Sequence, residues 1–356
     1  MKRSKLAVIL ILAIISISAC TPYRKQDIPT IWSESLSITN CNTIIASATI
    51  NYQSGELYSY EIALSTIDPI LCKKIVYQFD PNLIMSQDDS VITGFYYDTL
   101  NNQVEIESYS NYIYLQKGKS GTVQLEDWVL AGDAYPGEPV GTKLENVNIS
   151  QGDAIMAADL FLCGAEMNDF IFAEAKKCRI LTDEYETVCE GWYITYLRNY
   201  DNYIPFDYFL YEPYGPIRLQ YTKRTAPCVQ EQLSFVFTEN GCQVFQWNAP
   251  TKIISKQRID DQLADFSIIQ KTLRKELKNG YSWSKSTLSE DEIPNLYEMR
   301  LTWALLHSST GSENATITPM WACIFMSPKY EREHMRPFVI CIDAVTGKRI
   351  DPLFVQ

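Results

Sequence analysis

The chain has 356 residues, a formal charge of −12, ten cysteines and two histidines. An acidic balance of this size opposes binding to nucleic acid and to anionic lipid or teichoic acid surfaces, where Lys and Arg must neutralise phosphate. With only His307 and His334 and no C-x-x-C, no zinc or iron–sulfur pattern is present, and no metal or other cofactor is expected.

The first residues read MKRSKLAVILILAIISISAC. Lys2, Arg3 and Lys5 form a basic head, and Leu6 to Ile17 an apolar run of signal-peptide length. A membrane-spanning helix needs roughly 20 apolar residues, so this run is too short to be one. Its end, Ile17-Ser18-Ala19-Cys20, resembles the lipobox of bacterial lipoproteins, in which the cysteine after the cleaved bond carries a thioether-linked diacylglycerol. Cys20 is therefore the expected lipidation site, and the expected location is the extracytoplasmic face of the cell membrane. Loss of Lys2, Arg3 and Lys5 with the signal takes the charge from −12 to −15. The following TPYRKQDIPT is short, polar and proline-containing, a spacer between lipid and folded body.

From Trp32 to about Asp127, period-two alternation predicts mostly strands, such as TIIASATINY, VITGFYYDTL and QVEIESYSNYIYL. One helix is expected over Ile67 to Tyr77. The Gly- and Pro-rich AGDAYPGEPVGTKLEN reads as a linker, with the boundary near Asn146. Beyond it the pattern runs the same course twice. NISQGDAIMAADLFLCGAE is a helix capped by Ser150, followed by strands around FIFAEAKKCRIL, ETVCEGWYITYLRNY, EQLSFVFTENG and CQVFQW. IDDQLADFSIIQKTLRKELK is a second, more amphipathic helix, followed by strands around NLYEMRLTWALLHSS, ATITPMWACIFMSP and RPFVICIDAV. Leu263, Phe266, Ile269 and Leu273 should form the buried stripe of the second helix, and Ile155, Ala158, Leu160 and Leu162 the less regular one of the first.

The predicted fold class is α+β: a signal over 1–20, a linker over 21–31, an antiparallel β-rich N-terminal domain over 32–146, then two tandem helix-on-antiparallel-sheet units over 147–250 and 251–356. Glu239-Asn240-Gly241 and Val345-Thr346-Gly347 fall late in each unit as hairpin corners. A phosphate loop at Thr346-Gly347-Lys348 is excluded by pattern: there is one glycine, no Ser or Thr after the lysine, and no room for a helix.

With Cys20 lipidated, nine cysteines remain. Cys178 and Cys189 are equidistant from a turn at Asp183-Glu184, and Cys323 and Cys341 from a loop centred near Arg332. Each pair can face across antiparallel strands, as a disulfide in an oxidising compartment or as two small buried apolar groups. Catalytic patterns are lacking: there is no G-x-S-x-G or H-E-x-x-H, and neither histidine has a nucleophile or acid in a recognisable setting. No enzymatic activity is expected. The strongest binding signal is aromatic. Tyr200, Tyr203, Phe206, Tyr208, Tyr211 and Tyr214 lie in a proline-broken stretch whose rings could stack on cell-wall glycan or on a peptide.

The order of lipobox, helix, WYITYLRNYDNYIP, FTENGCQVFQWNAP, helix, PMWACIFM and CIDAVTGKRI resembles a family of uncharacterised lipoproteins from clostridia and related Gram-positive bacteria. More distantly, a helix on an antiparallel sheet ending in a strand, IDA-x-TGK and a strand is similar to PepSY-like domains and to extracytoplasmic accessory proteins. That resemblance implies a domain of unknown function in the cell envelope, with an envelope protein as partner and the membrane reached through the lipidated cysteine. Two functions follow as expectations: a non-catalytic interaction or regulatory module, or a ligand-capturing lipoprotein that uses the aromatic stretch.

Overall fold

The computed structural model describes residues 31–37, 43–51, 56–83, 93–109, 112–118, 121–125, 144, 147–182, 186–201, 231–259, 262–279, 289, 293, 295–307, 314–328 and 338–350, with the backbone alone at 33–37, 43–47, 51, 279, 307 and 338. These residues form two eight-stranded sheets and three helices.

The described residues begin in the first sheet with β1 (Ile31–Ser37), β2 (Thr43–Asn51) and β3 (Tyr58–Leu64). It then crosses to the second sheet, building α1 (Pro69–Phe79), β4 (Gly94–Tyr97), β5 (Gln103–Tyr109), β6 (Tyr112–Lys117) and β7 (Thr122–Leu125). Still in that sheet come α2 (Gln151–Gly164), β8 (Phe170–Leu181), β9 (Thr187–Arg198), β10 (Gln232–Thr238) and β11 (Gly241–Asn248). The chain finally returns to the first sheet with β12 (Thr251–Arg258), α3 (Phe266–Asn279), β13 (Asn295–His307), β14 (Asn314–Met326), β15 (Phe338–Asp343) and β16 (Arg349–Ile350).

The second sheet has the order β4-β5-β6-β11-β10-β9-β8-β7, antiparallel throughout its described pairs. The first runs β1-β2-β13-β14-β15-β16, and β3 pairs with both β14 and β12. Its β2 and β13 are parallel, bringing Ala46 beside Leu296 and Ile50 beside Met299.

The expected architecture is corrected here. The strands assigned to a separate N-terminal domain do not form one sheet: β1, β2 and β3 join β12–β16, whereas β4–β7 flank β8–β11. The protein is mostly β and is not two tandem helix-on-sheet units. Alternation of apolar residues reports that a segment is a strand, but it carries no information about a partner some 250 residues away.

Local signals fared better. Asp68 caps α1 by accepting from Ile70 N at 2.7 Å, with Pro69 in the first helical turn, where its missing N–H costs nothing. Ser150 caps α2 by accepting from Asp153 N at 3.1 Å. The α3 helix starts at Phe266, later than the pattern suggests, and Phe266, Ile269, Leu273 and Leu277 are buried, with Leu263 packed beside them. In α2 the buried set is Ala154, Ala158, Phe161 and Leu162, while Leu160 points outward. Phe161 stacks on Phe245 at 5.1 Å and meets Phe235 edge-on at 5.2 Å, so one ring anchors the helix to two central strands.

The corner at Thr346-Gly347-Lys348 is a turn between β15 and β16. The Asp343 carboxylate accepts from Val345 N at 2.9 Å and Thr346 N at 2.6 Å, so the amides that a phosphate would need are already occupied. Gly347 has φ +67°, and a Cβ there would come within 2.6 Å of Ile268 Cγ2. Thr272 Oγ1 donates to Gly347 O at 2.6 Å, tying the turn to α3.

Candidate functional site

Of the residues marked from sequence, Cys20, Tyr203, Phe206, Tyr208, Tyr211 and Tyr214 lie outside the described residues, as does His334. Tyr200 is described, and it offers no open ring. It is 2% exposed in the first sheet's core, its hydroxyl 2.8 Å from Thr251 Oγ1 and its ring 6.3 Å from that of Tyr60.

The cysteine registers are corrected as well. Cys178 lies opposite Gly191 and Cys189 opposite Ile180, which makes the two thiols diagonal neighbours on one face. Cys323 lies opposite Ile340 and Cys341 opposite Ala322, and their side chains enter different core clusters on the two faces of the sheet. A two-residue slip preserves the face; a one-residue slip reverses it. All four are thiols in the structure, and burial pushes those of Cys178 and Cys323 up.

The helices themselves carry a difference that sequence inspection did not reveal. Both α2 and α3 lie on one face of a sheet, α2 against β9 and β10, α3 against β15 and β16. The outward face of α3 is charged: Lys271, Lys275 and Lys278 are exposed. The outward face of α2 is apolar. Met156 is 57% and Leu160 66% exposed, and Cys163 is exposed on the next turn. These residues follow at spacings of four and three and form one stripe. Asp153 and Asp159 flank it, Asp159 also accepting from Tyr196 Oη at 2.7 Å. The neighbouring α1 packs on α2, with Lys74 paired to Glu166 at 2.5 Å, and it too exposes Ile70 and Tyr77. The signal missed in the sequence was that QGDAIMAADLFLCG carries apolar residues on more than one side, so that part of them stays outside when one side faces the sheet.

The opposite face of the second sheet carries a buried polar row beside the apolar cluster of Cys178, Ile180, Val236 and Val244. Tyr114, Gln246, Ser234 and Thr195 stand in one cross-strand row over β6, β11, β10 and β9. Tyr193 Oη donates to Ser234 Oγ at 2.8 Å, and Gln246 Nε2 to Asn248 Oδ1 at 2.8 Å. Among the described residues Gln246 Oε1 has no partner, an omission costing about 1–3 kcal/mol.

A third cluster sits where the chain passes between sheets. Glu231 is 1% exposed and accepts from Thr251 N at 2.9 Å, Thr251 Oγ1 at 2.5 Å and Trp247 Nε1 at 3.0 Å. Burial, the largest influence, pushes its carboxyl above the ordinary range, against the pull of Arg198 and the Thr251 and Trp247 donors. Among the described residues, no group of three His, Cys, Asp or Glu side chains is arranged to hold a metal ion. No helix of the described residues is long and apolar enough to cross a membrane.

The fold is thus that of a mostly β protein of two sheets, with α3 on one face of the first and α1 and α2 on one face of the second. No protein-family model and no curated protein matches the chain. Among solved structures it is similar to an uncharacterized protein from Eubacterium rectale ATCC 33656, at 12% identity and TM-score 0.48, covering 92% of this chain and 96% of that one. It is also similar to the C-terminal domain of Bacillus megaterium YpeB, at 12% identity and TM-score 0.30, covering 81% and 97%.

Proposed function

We propose that the chain is a lipoprotein held at the extracytoplasmic face of the membrane through Cys20, and that it acts as a non-catalytic interaction or regulatory module of the cell envelope. The observation that carries this reading is the exposed stripe of Met156, Leu160 and Cys163 on α2. Its occupant is an envelope protein presenting a helix, apolar on one side and basic along the edge. The spacing of the stripe suits a helix ridge, and Asp153 and Asp159 complement basic flanks. The same acids, with the charge of the whole chain, disfavour a bilayer of anionic lipid as occupant. The PepSY-like resemblance of CIDAVTGKRI belongs to this reading, since it points to an accessory role outside the cytoplasm.

The test uses the full precursor in intact cells, with a photo-crosslinking side chain at Leu160 or, as control, at Lys275 on α3. Position 160 should capture a partner that position 275 does not. The captured protein, once purified, should bind the native chain and lose at least tenfold in affinity for Met156→Glu. Equal capture from both positions, capture of lipid or of a second copy, or undiminished binding by the variant would overturn the proposal.

A further inference from the structure

The two crossings of the chain between the sheets lie together. The chain leaves the first sheet after Leu64 and re-enters it at Thr251, and these crossings lie side by side, with Ser65 N donating to Pro250 O at 2.7 Å. The end of β9 reaches the same place. Lys256 pairs with Asp201 at 2.8 Å, and Tyr60 Oη donates to Asp201 Oδ2 at 3.5 Å. Ala249 and Asp201 both have φ +51°, a left-handed conformation that costs energy for any residue with a Cβ. Strain of this kind is kept only where surrounding contacts hold it, and it gathers at moving parts.

At the centre of the junction is a chain of three groups. Tyr200 Oη lies 2.8 Å from Thr251 Oγ1, which lies 2.5 Å from Glu231 Oε2. The chain can be complete in either direction. With Glu231 ionised, the Tyr200 hydroxyl donates to Thr251 and the Thr251 hydroxyl to the carboxylate. With Glu231 protonated, the carboxyl donates to Thr251, and Thr251 to Tyr200. What separates the two states is a buried charge rather than the hydrogen-bond chain. Among the described residues the nearest cation, Arg198, lies 3.8 Å away and is already paired with Asp169 at 3.0 Å, and its buried Nε has no partner there. Among the described residues, Asp201 and Lys256 at the same junction pair with each other. Burial therefore outweighs the three donors and Arg198 when Glu231 is ionised, and water entering an opened junction would solvate the carboxylate.

We propose that Glu231, Thr251 and Tyr200 form a proton-operated latch on the crossing between the two sheets, closed when the carboxyl is protonated and loosened when it ionises and releases its proton to solvent. The raised carboxyl pKa of Glu231 agrees in direction. The closed state binds the proton more tightly than an open, hydrated one. Its stability is therefore full below the ordinary carboxylate pKa and is lost as pH rises through the raised value.

Hydrogen exchange on the full chain, with the intrinsic pH dependence removed, tests this. Protection of residues 249–258 should fall about tenfold per pH unit through the titration of Glu231, while β10 stays constant. Glu231→Gln should abolish the slope. Thr251→Val removes a donor to the carboxylate and should move the midpoint to higher pH, and Asp201→Asn should leave the midpoint in place. A flat profile in the native protein, a slope that survives in Glu231→Gln, an unmoved midpoint in Thr251→Val, a midpoint displaced by Asp201→Asn, or a parallel fall in β10 would each overturn the latch.

Discussion

The helix layers of the two sheets solve one packing problem in two ways. On the first sheet, α3 sends Phe266, Ile269, Leu273 and Leu277 inward and its lysines outward, with Ile268, 44% exposed, the one large apolar side chain on its outer side among the described residues. On the second, α2 buries Ala154, Ala158, Phe161 and Leu162 and leaves Met156, Leu160 and Cys163 outside. Burial of an apolar side chain contributes roughly 1.5–3 kcal/mol, so the outward stripe of α2 is stabilisation that this chain alone does not collect. The difference teaches that α3 is finished within the sheet it covers, whereas α2 is suited to a further layer.

The largest expected effects test whether each helix anchors its own sheet. Phe266 meets Trp321 edge-on at 5.3 Å, and Phe161 is held between Phe235 and Phe245. Replacing either by Ala should cost about 3–5 kcal/mol in denaturant unfolding. If the cores are independent, the double variant should be additive within about 0.5 kcal/mol. A tolerated Phe266→Ala would break the account of α3, and strong non-additivity would merge the two regions into one core.

Gly347 comes next. Val there meets both the positive φ and Ile268, for a loss of about 1–3 kcal/mol, while Lys348→Ala should be close to neutral by the same thermal unfolding measurement. A smaller loss, about 1 kcal/mol, is expected for Ser150→Ala, which removes the cap of α2. The smallest effect on stability sharpens the comparison most. Leu160→Lys should change unfolding by no more than about 0.5 kcal/mol, as at any exposed position, yet remove partner binding. Cys163 should react with a thiol reagent in the folded protein well before Cys178, Cys242 or Cys323, which are buried.

Much of the local structure was legible. The three helices, the Ser150 cap, the Phe266–Leu273 stripe and the corner at Gly347 can be read from spacing and from residue types with strong conformational preferences. The α3 stripe was legible because charged residues mark its other side. The α2 stripe was misassigned at Leu160 because, in a helix with apolar residues on more than one side, little contrast shows which side faces the sheet. At Cys323 and Cys341, symmetry about a loop centre predicts a pairing one residue from the real register, enough to send the thiols to opposite faces. Tyr200 reads as part of an aromatic binding stretch and turns out to be a core residue of the junction.

The sequence by itself determined that most of the strands, the helices and the corner at Gly347 exist, though not the start of α3 or the strand β12, because backbone preference, capping and apolar period act over a few residues. Only the tertiary structure decided which strands share a sheet, which side of α2 stays outside, and that Glu231, Thr251 and Tyr200 meet. Those outcomes depend on contacts between segments as far apart as β2 and β13, whose pairing energy appears only once the intervening chain has been closed into place.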